Sequence, residues 1–203
     1  MKQIITCLGF FAIVSVANAQ VPKGSLLVGG TMGMNSNNVS SGSGSGNTSS
    51  NFSIAPRISY AVANNLLLSG KAGFDFNQTK YENGQNLKNN GVNLGLFAKK
   101  LIPIKGAFGW YPELGVSVFT GKQQYLNVVG QRVEMHNKGF STGITPGLYY
   151  QAGSRFLVNV EFGGLQFSSS RSENESNDLI NKTRGIGFSL FQTFQLGFDF
   201  IIK

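Results

Sequence analysis

Cysteine is almost missing from this chain. Its 203 residues include one, Cys7, and that one lies in an N-terminal stretch with the marks of a cleaved leader. A mature chain without cysteine has no disulfide and no thiolate metal site. Histidine is equally scarce: His136 stands alone, with no ligand cluster of metal-site spacing around it. Neither a metal nor any other cofactor is expected. Acidic residues number 9 against 17 Lys and Arg, which leaves a net charge of +8. The basic residues are scattered and no nucleic-acid motif accompanies them, which argues against nucleic-acid binding. Attraction to acidic lipid headgroups fits better. No apolar run after residue 19 reaches the length of a membrane-spanning helix. The Gly-Ser repeat Ser41–Gly46 lacks the Lys-Ser/Thr of a phosphate loop. Helical periodicity is almost absent.

The leader has three parts in the expected order. Lys2 is a short basic region, Ile4 to Val16 is apolar but too short to span a bilayer, and Ala17-Asn18-Ala19 is an A-x-A cleavage site. Residues 1–19 are therefore predicted to be a secretory signal peptide, and residues 20–203 one domain. Cys7 precedes the small residues of the cleavage site, so a lipid-anchored cysteine is not expected.

Period-two alternation of apolar and small or polar residues runs through the mature chain. It predicts eight strands: Ser25–Met34, Phe52–Val62, Leu66–Asn77, Val92–Leu101, Trp110–Gly121, Phe140–Gln151, Phe156–Ser168 and Gly185–Ile202. Most match or exceed the ~9–11 residues of a tilted membrane strand, against ~5–6 for soluble strands. Connections alternate long and short. "NSNNVSSGSGSGNTSSN" is long and "AVANN" short; "KQQYLNVVGQRVEMHNK" is long and "QAGS" short. Long loops at one end and tight turns at the other are the pattern of an outer-membrane barrel. The predicted fold is all-β, an eight-stranded antiparallel up-and-down transmembrane β-barrel.

The two parities of each strand decide which face meets lipid. One parity is bulky, as in Phe52, Ile54, Ile58 and Tyr60, or Leu114, Val116 and Val118. The other is small, as in Ser53, Ala55, Ser59 and Ala61, or Ser141, Gly143, Thr145 and Gly147. A soluble barrel would place Lys and Glu on its outer face; here the small parity suits the crowded interior of eight strands. Tyr60, Trp110, Tyr150 and Phe156 fall near the short turns, where an aromatic girdle belongs. The strand charges Arg57, Lys71, Asp75, Lys99, Glu113, Glu161 and Asp199 fall mainly on the inward parity. Counted from the short turns, Arg57, Lys71, Glu113, Glu161 and Asp199 sit at similar depth. Both signs occur, and isolated buried charge is costly, so a paired network across the lumen is expected. Pro56, Pro112 and Pro146 lie inside strands without a ladder donor, and bulges would accommodate them. The stretch "FQTFQLGFDFIIK" places Phe194, Phe198 and Phe200 on the bulky parity and is predicted to close the sheet against the first strand.

The stretch "SIAPRISYAVANNLLLSGKAGF", with Pro56, Tyr60, Asn65, Leu66, Leu68 and Gly70, resembles small outer-membrane β-barrel proteins of the OmpA/OmpX-like kind. "YPELGVSVF" and "TPGLYYQAGSRFLVNVEFG" are similar to further hairpins of that type. The resemblance implies an eight-stranded barrel in a bacterial outer membrane with periplasmic termini, and a terminal strand read by the barrel-insertion machinery. It implies no shared ligand. A wall-binding domain, which larger members carry after the barrel, is not expected here.

Three functions follow as alternatives. The first is a non-enzymatic barrel with a structural or surface-interaction role, its long loops outside the cell. The second is a narrow porin-like channel, disfavoured by how little room eight strands leave. The third is a lipid-modifying enzyme, which needs a His near a Ser and an acid. His136, Glu134 and Ser141 are close in sequence, but "EMHNKG" lacks the His-x-Ser arrangement of such enzymes. The chain is expected not to be an enzyme. Its partners are expected to be outer-membrane lipids, including lipopolysaccharide. Lys80, Lys88, Lys122, Arg132 and Lys138 lie in or near the long loops and could meet lipopolysaccharide phosphates, but Glu82, Glu134 and the acidic fourth loop dilute that signal and favour a solvated loop surface.

Overall fold

The computed structural model describes residues 21–39, 46–81, 86–126, 132–174 and 179–202. The predicted signal peptide with Cys7, Glu82, Lys203 and most of the Gly-Ser repeat lie outside the described residues. Nine strands follow in order: β1 (Leu26–Val39), β2 (Asn47–Ala63), β3 (Leu66–Tyr81), β4 (Asn86–Lys100), β5 (Ile102–Lys105), β6 (Phe108–Leu126), β7 (Arg132–Ala152), β8 (Phe156–Glu173) and β9 (Leu179–Ile202). Eight of them form a ring of antiparallel neighbours in chain order, with β4 paired directly to β6. The short β5 is a side hairpin on the lower end of β6, with Ile102 opposite Trp110.

The ring closes between β9 and β1. The register runs from Leu26 opposite Ile202 to Gly33 opposite Gln195. Closure removes the sheet edge, whose unpaired N–H and C=O groups have no partner in lipid. One end of the barrel carries tight turns. Asn65 sits at φ 61°, a left-handed conformation that asparagine tolerates, and its side chain accepts from the Val21 N–H at 2.8 Å. Gly153 takes φ 73° in the β7–β8 turn.

Strands outrun their predicted limits at the opposite end. The segments expected to be long loops are largely strand arms, because their Asn, Ser and Thr pair with one another. Asn35 faces Asn51, Ser36 faces Ser50 and Asn77 faces Asn89. Side chains add bonds across the arms, as from Ser172 Oγ to Asn137 Oδ1 at 2.5 Å. Apolar alternation cannot reveal an arm that is polar on both faces.

The bulky parity faces outward throughout. Leu94, Leu96, Leu114, Val116, Val118, Ile144 and Leu148 are all exposed on the barrel wall. Such a belt is stable facing lipid and unfavourable facing water. The inward parity differs from expectation at the short-turn end. It is apolar there, not small: Leu27, Leu67, Leu101, Leu157 and Ile201 are buried together with Val21.

The prolines are accommodated in three ways, only one of them the expected bulge. Near Pro146 the β7–β8 register shifts by one residue, and Gly163 and Gly164 take up the slack at φ 85° and 157°. Near Pro56 the β2–β3 ladder skips two pairs and resumes in unchanged register, from Ile54–Phe74 to Arg57–Lys71. Pro112 faces Pro146 in register and lies just below Glu113, the last β6 residue paired to β4, so its missing N–H breaks no bond with that strand.

Candidate functional site in the barrel lumen

Six inward charges meet at one level of the lumen, just above the apolar cluster. Arg57 on β2 is the hub. Its Nη2 and Nε donate to the two carboxylate oxygens of Asp199 on β9 at 2.5 and 3.1 Å. Its Nη1 lies 3.5 Å from Glu113 on β6 and 3.8 Å from Glu161 on β8. Lys71 on β3 donates to Glu113 and lies 3.7 Å from Glu161. Lys99 on β4 is 3.4 Å from Glu113. Three cations thus face three carboxylates, drawn from six different strands. The Asn159 amide adds a bond to Asp199 at 2.8 Å.

Five of the six are buried and Lys71 is partly so, and burial of charge is tolerated only with good geometry and pairing. The two-pronged Arg57–Asp199 contact supplies that geometry. Two rings complete the packing: Lys71 lies 4.3 Å from the centre of Phe97, and Lys99 4.2 Å from that of Tyr111. Asp75, expected in the same network, stands apart. It accepts from Asn93 at 3.1 Å and lines the lumen further up. Two residue steps separate each inward level of a strand, so sharing a parity did not put Asp75 at the height of Lys71.

The inward aromatics were not anticipated. Phe97, Tyr111, Phe119 and Tyr149 each lie directly opposite a glycine on the neighbouring strand: Gly115, Gly147, Gly139 and Gly109. A Cβ at Gly115 would stand 2.1 Å from the Phe97 ring, and one at Gly147 2.3 Å from that of Tyr111. The glycines are therefore the floor on which the rings lie. Their signal was present in "YY" at 149–150 and "WY" at 110–111. Adjacent strand residues point to opposite faces, so one ring of each pair must enter the lumen.

Above Phe97 the lumen opens into a cavity of about 730 Å³. Asn51, Asn77, Asn89, Ser117, Thr120 and Gln166 are among its polar lining. The lumen is thus half vestibule and half solid: open among amides and hydroxyls, then closed by charges, then by apolar side chains.

On the outer wall, Tyr60, Trp110 and Phe156 are exposed near the short turns, joined by Phe108 and Phe200. Tyr150 packs at a tilt against Phe108 with ring centres 5.2 Å apart, and Phe156 against Phe198 at 5.9 Å. Phe194, Phe198 and Phe200 all face outward on β9. His136 lies 3.5 Å from Glu134. Ser141, on the same strand but of opposite parity, is turned inward and bonds Ser117 at 2.8 Å. The two cannot form a nucleophile–base pair. Among the described residues no His, Cys, Asp and Glu cluster could hold a metal.

No protein-family profile matches the chain, and no curated protein matches it in sequence. Solved structures do match. The translocator domain of the autotransporter NalP from Neisseria meningitidis is similar over 91% of this chain and 65% of its own, at 12% identity and a TM-score of 0.50. A major outer membrane protein from Thermus thermophilus is similar over 87% of this chain and 99% of its own, at 11% identity and a TM-score of 0.48. At such identities the first likeness speaks for the barrel fold alone.

Proposed function

We propose that this chain is an integral protein of a bacterial outer membrane, delivered by the signal peptide at 1–19. Its long arms face the cell exterior and its short turns the periplasm, and it serves the envelope or a surface contact without enzymatic activity. The carrying observation is a ring of eight strands that is apolar outside and sealed within at the short-turn end. The seal speaks against a porin-like channel, and the opposed faces of His136 and Ser141 speak against lipid-modifying catalysis. The eight-stranded count, with the hairpin around Pro56 and Tyr60, favours the OmpA/OmpX-like group among outer-membrane barrels. The closing β9 is the segment for the barrel-insertion machinery to engage.

A membrane-impermeant maleimide on intact cells tests orientation and location together. The mature chain carries no native thiol, so single cysteines report cleanly. Asn38→Cys on an outer arm should label on intact cells, and Ser154→Cys in a short turn only after lysis. Labelling of Ser154→Cys alone on intact cells would overturn the orientation. Labelling of neither, with folded protein found in another fraction, would overturn the location.

A further inference from the structure

Basic residues on the outer wall are not spread evenly around the barrel. Lys138 on β7 stands directly opposite Arg171 on β8, and Arg171 directly opposite Lys182 on β9. All three point outward. Arg184 follows one outward position below Lys182, in the row that holds Phe140 and Ser169. Like charges directly opposed across strands repel one another. Among the described residues, Glu173 is the acid that relieves the row, accepting from Lys138 Nζ and Arg171 Nε at 3.0 Å each. The Lys138 hydrogen bond holds the Glu173 carboxyl below its ordinary range. Among the described residues, Lys182 and Arg184 have no carboxylate partner. Next around the ring, the outward positions at the base of the arms are uncharged, as at Ser36 and Asn38 on β1 and Thr48 and Ser50 on β2, and Lys80 on β3 and Lys88 on β4 each stand singly among uncharged cross-strand neighbours.

The height of the row identifies what can relieve it. On β7 the outward run from Tyr150 to Phe140 spans ten residue steps and is apolar except for Thr142, whose hydroxyl is satisfied by the Gly115 carbonyl. That matches the ~9–11 residues a tilted strand needs to cross hydrocarbon. Lys138 is the next outward residue above it. Directly beneath the row lie Phe140 and Phe167, with ring centres 5.9 Å apart, and the exposed Ile186 and Phe188. The patch is thus cationic above and greasy below, at the boundary where headgroups sit. A soluble anion would leave the lower half uncovered, whereas a lipid covers both.

We propose that the β7–β8–β9 wall binds a phosphate-bearing anionic lipid of the surrounding leaflet, its phosphates on Lys138, Arg171, Lys182 and Arg184 and its acyl chains on Phe140, Phe167, Ile186 and Phe188. This rests on the reading of the chain as an outer-membrane barrel. The refolded protein in neutral maltoside micelles is titrated with diphosphorylated lipid A or with phosphatidylcholine, and bound lipid is counted by native mass spectrometry. The wild type should prefer lipid A by about tenfold or more, as expected for several basic residues at a lipid surface. Lys182→Gln with Arg184→Gln breaks no ion pair among the described residues and should keep the heat-modifiable fold while losing most of that preference. Lys80→Gln with Lys88→Gln, flanked by amides at Asn86, Gln78 and Gln124, should change nothing. Undiminished preference in the first pair, or an equal loss in the second, would overturn the site. Displacement of lipid A by millimolar inorganic phosphate would overturn its assignment to a lipid. If the protein failed to enter phospholipid vesicles at all, the barrel reading would fall and this inference with it. Insertion without preference would sink only the inference.

Discussion

The lower and upper halves of the lumen are made by the same eight strands and solve different problems. Below Phe97 lie the six paired charges, five of them buried, and an apolar cluster. Above it, amides and hydroxyls line a cavity of about 730 Å³. The lower half carries the cost of desolvated charge and offsets it through ion pairing; Lys99 Nζ and Glu161 Oε1 are held there by charge contacts without a hydrogen bond. The upper half keeps its polar groups near solvent and depends less on pairing. Substitutions should therefore be severe below and mild above.

The largest effect is expected where the halves share closure. Deleting the chain from Phe198 onward removes the β9 partners of Leu26 to Gly30 and the Asp199 carboxylate with them. No heat-modifiable folded barrel should form, and a folded species on a semi-native gel would contradict this. Next comes Arg57→Met, which leaves Asp199 buried without its cation. Breaking one partner of a buried pair costs ~3–5 kcal/mol. The urea midpoint in phospholipid vesicles should fall accordingly, and Glu113→Gln, which weakens contacts to Lys71 and Lys99, should fall in the same direction. An unchanged midpoint in both would dissolve the network account.

A glycine pair sharpens the contrast at constant chemistry. Gly115→Ala puts a methyl 2.1 Å from the Phe97 ring, whereas the nearest atoms to a Cβ at Gly91 are at 3.6 and 3.8 Å. Overpacking predicts a loss of ~1–3 kcal/mol for the first. The second should stay within about 0.5 kcal/mol. Smallest of all, Gln166→Ala in the vestibule should leave the urea midpoint within the same ~0.5 kcal/mol.

Much of this was legible because lipid reverses the usual rule for a barrel. Bulky residues at Phe52, Ile54, Ile58 and Tyr60 sort cleanly from Ser53, Ala55 and Ser59, and period two does the rest. The charges were legible as inward for the same reason. Counting from the short turns also puts Arg57, Lys71, Glu113, Glu161 and Asp199 at similar depth, and these five do meet. That count does not place Lys99 with them, because strand tilt and stagger also decide which inward positions share a level; Lys99 joins the cluster and Asp75 does not. The polar arms were illegible because Asn, Ser and Thr on both faces carry no alternation. The bulge at Gly163–Gly164 was hidden too, because its cause, Pro146, sits on the neighbouring strand.

The central claim is a barrel sealed at its lower half, and ion conductance tests it most directly. Wild-type protein, shown to be folded and inserted, should pass no steady current across a planar bilayer. Discrete, sustained conductance steps from that protein would contradict the seal and, with it, the assignment of the charge cluster as a closed floor.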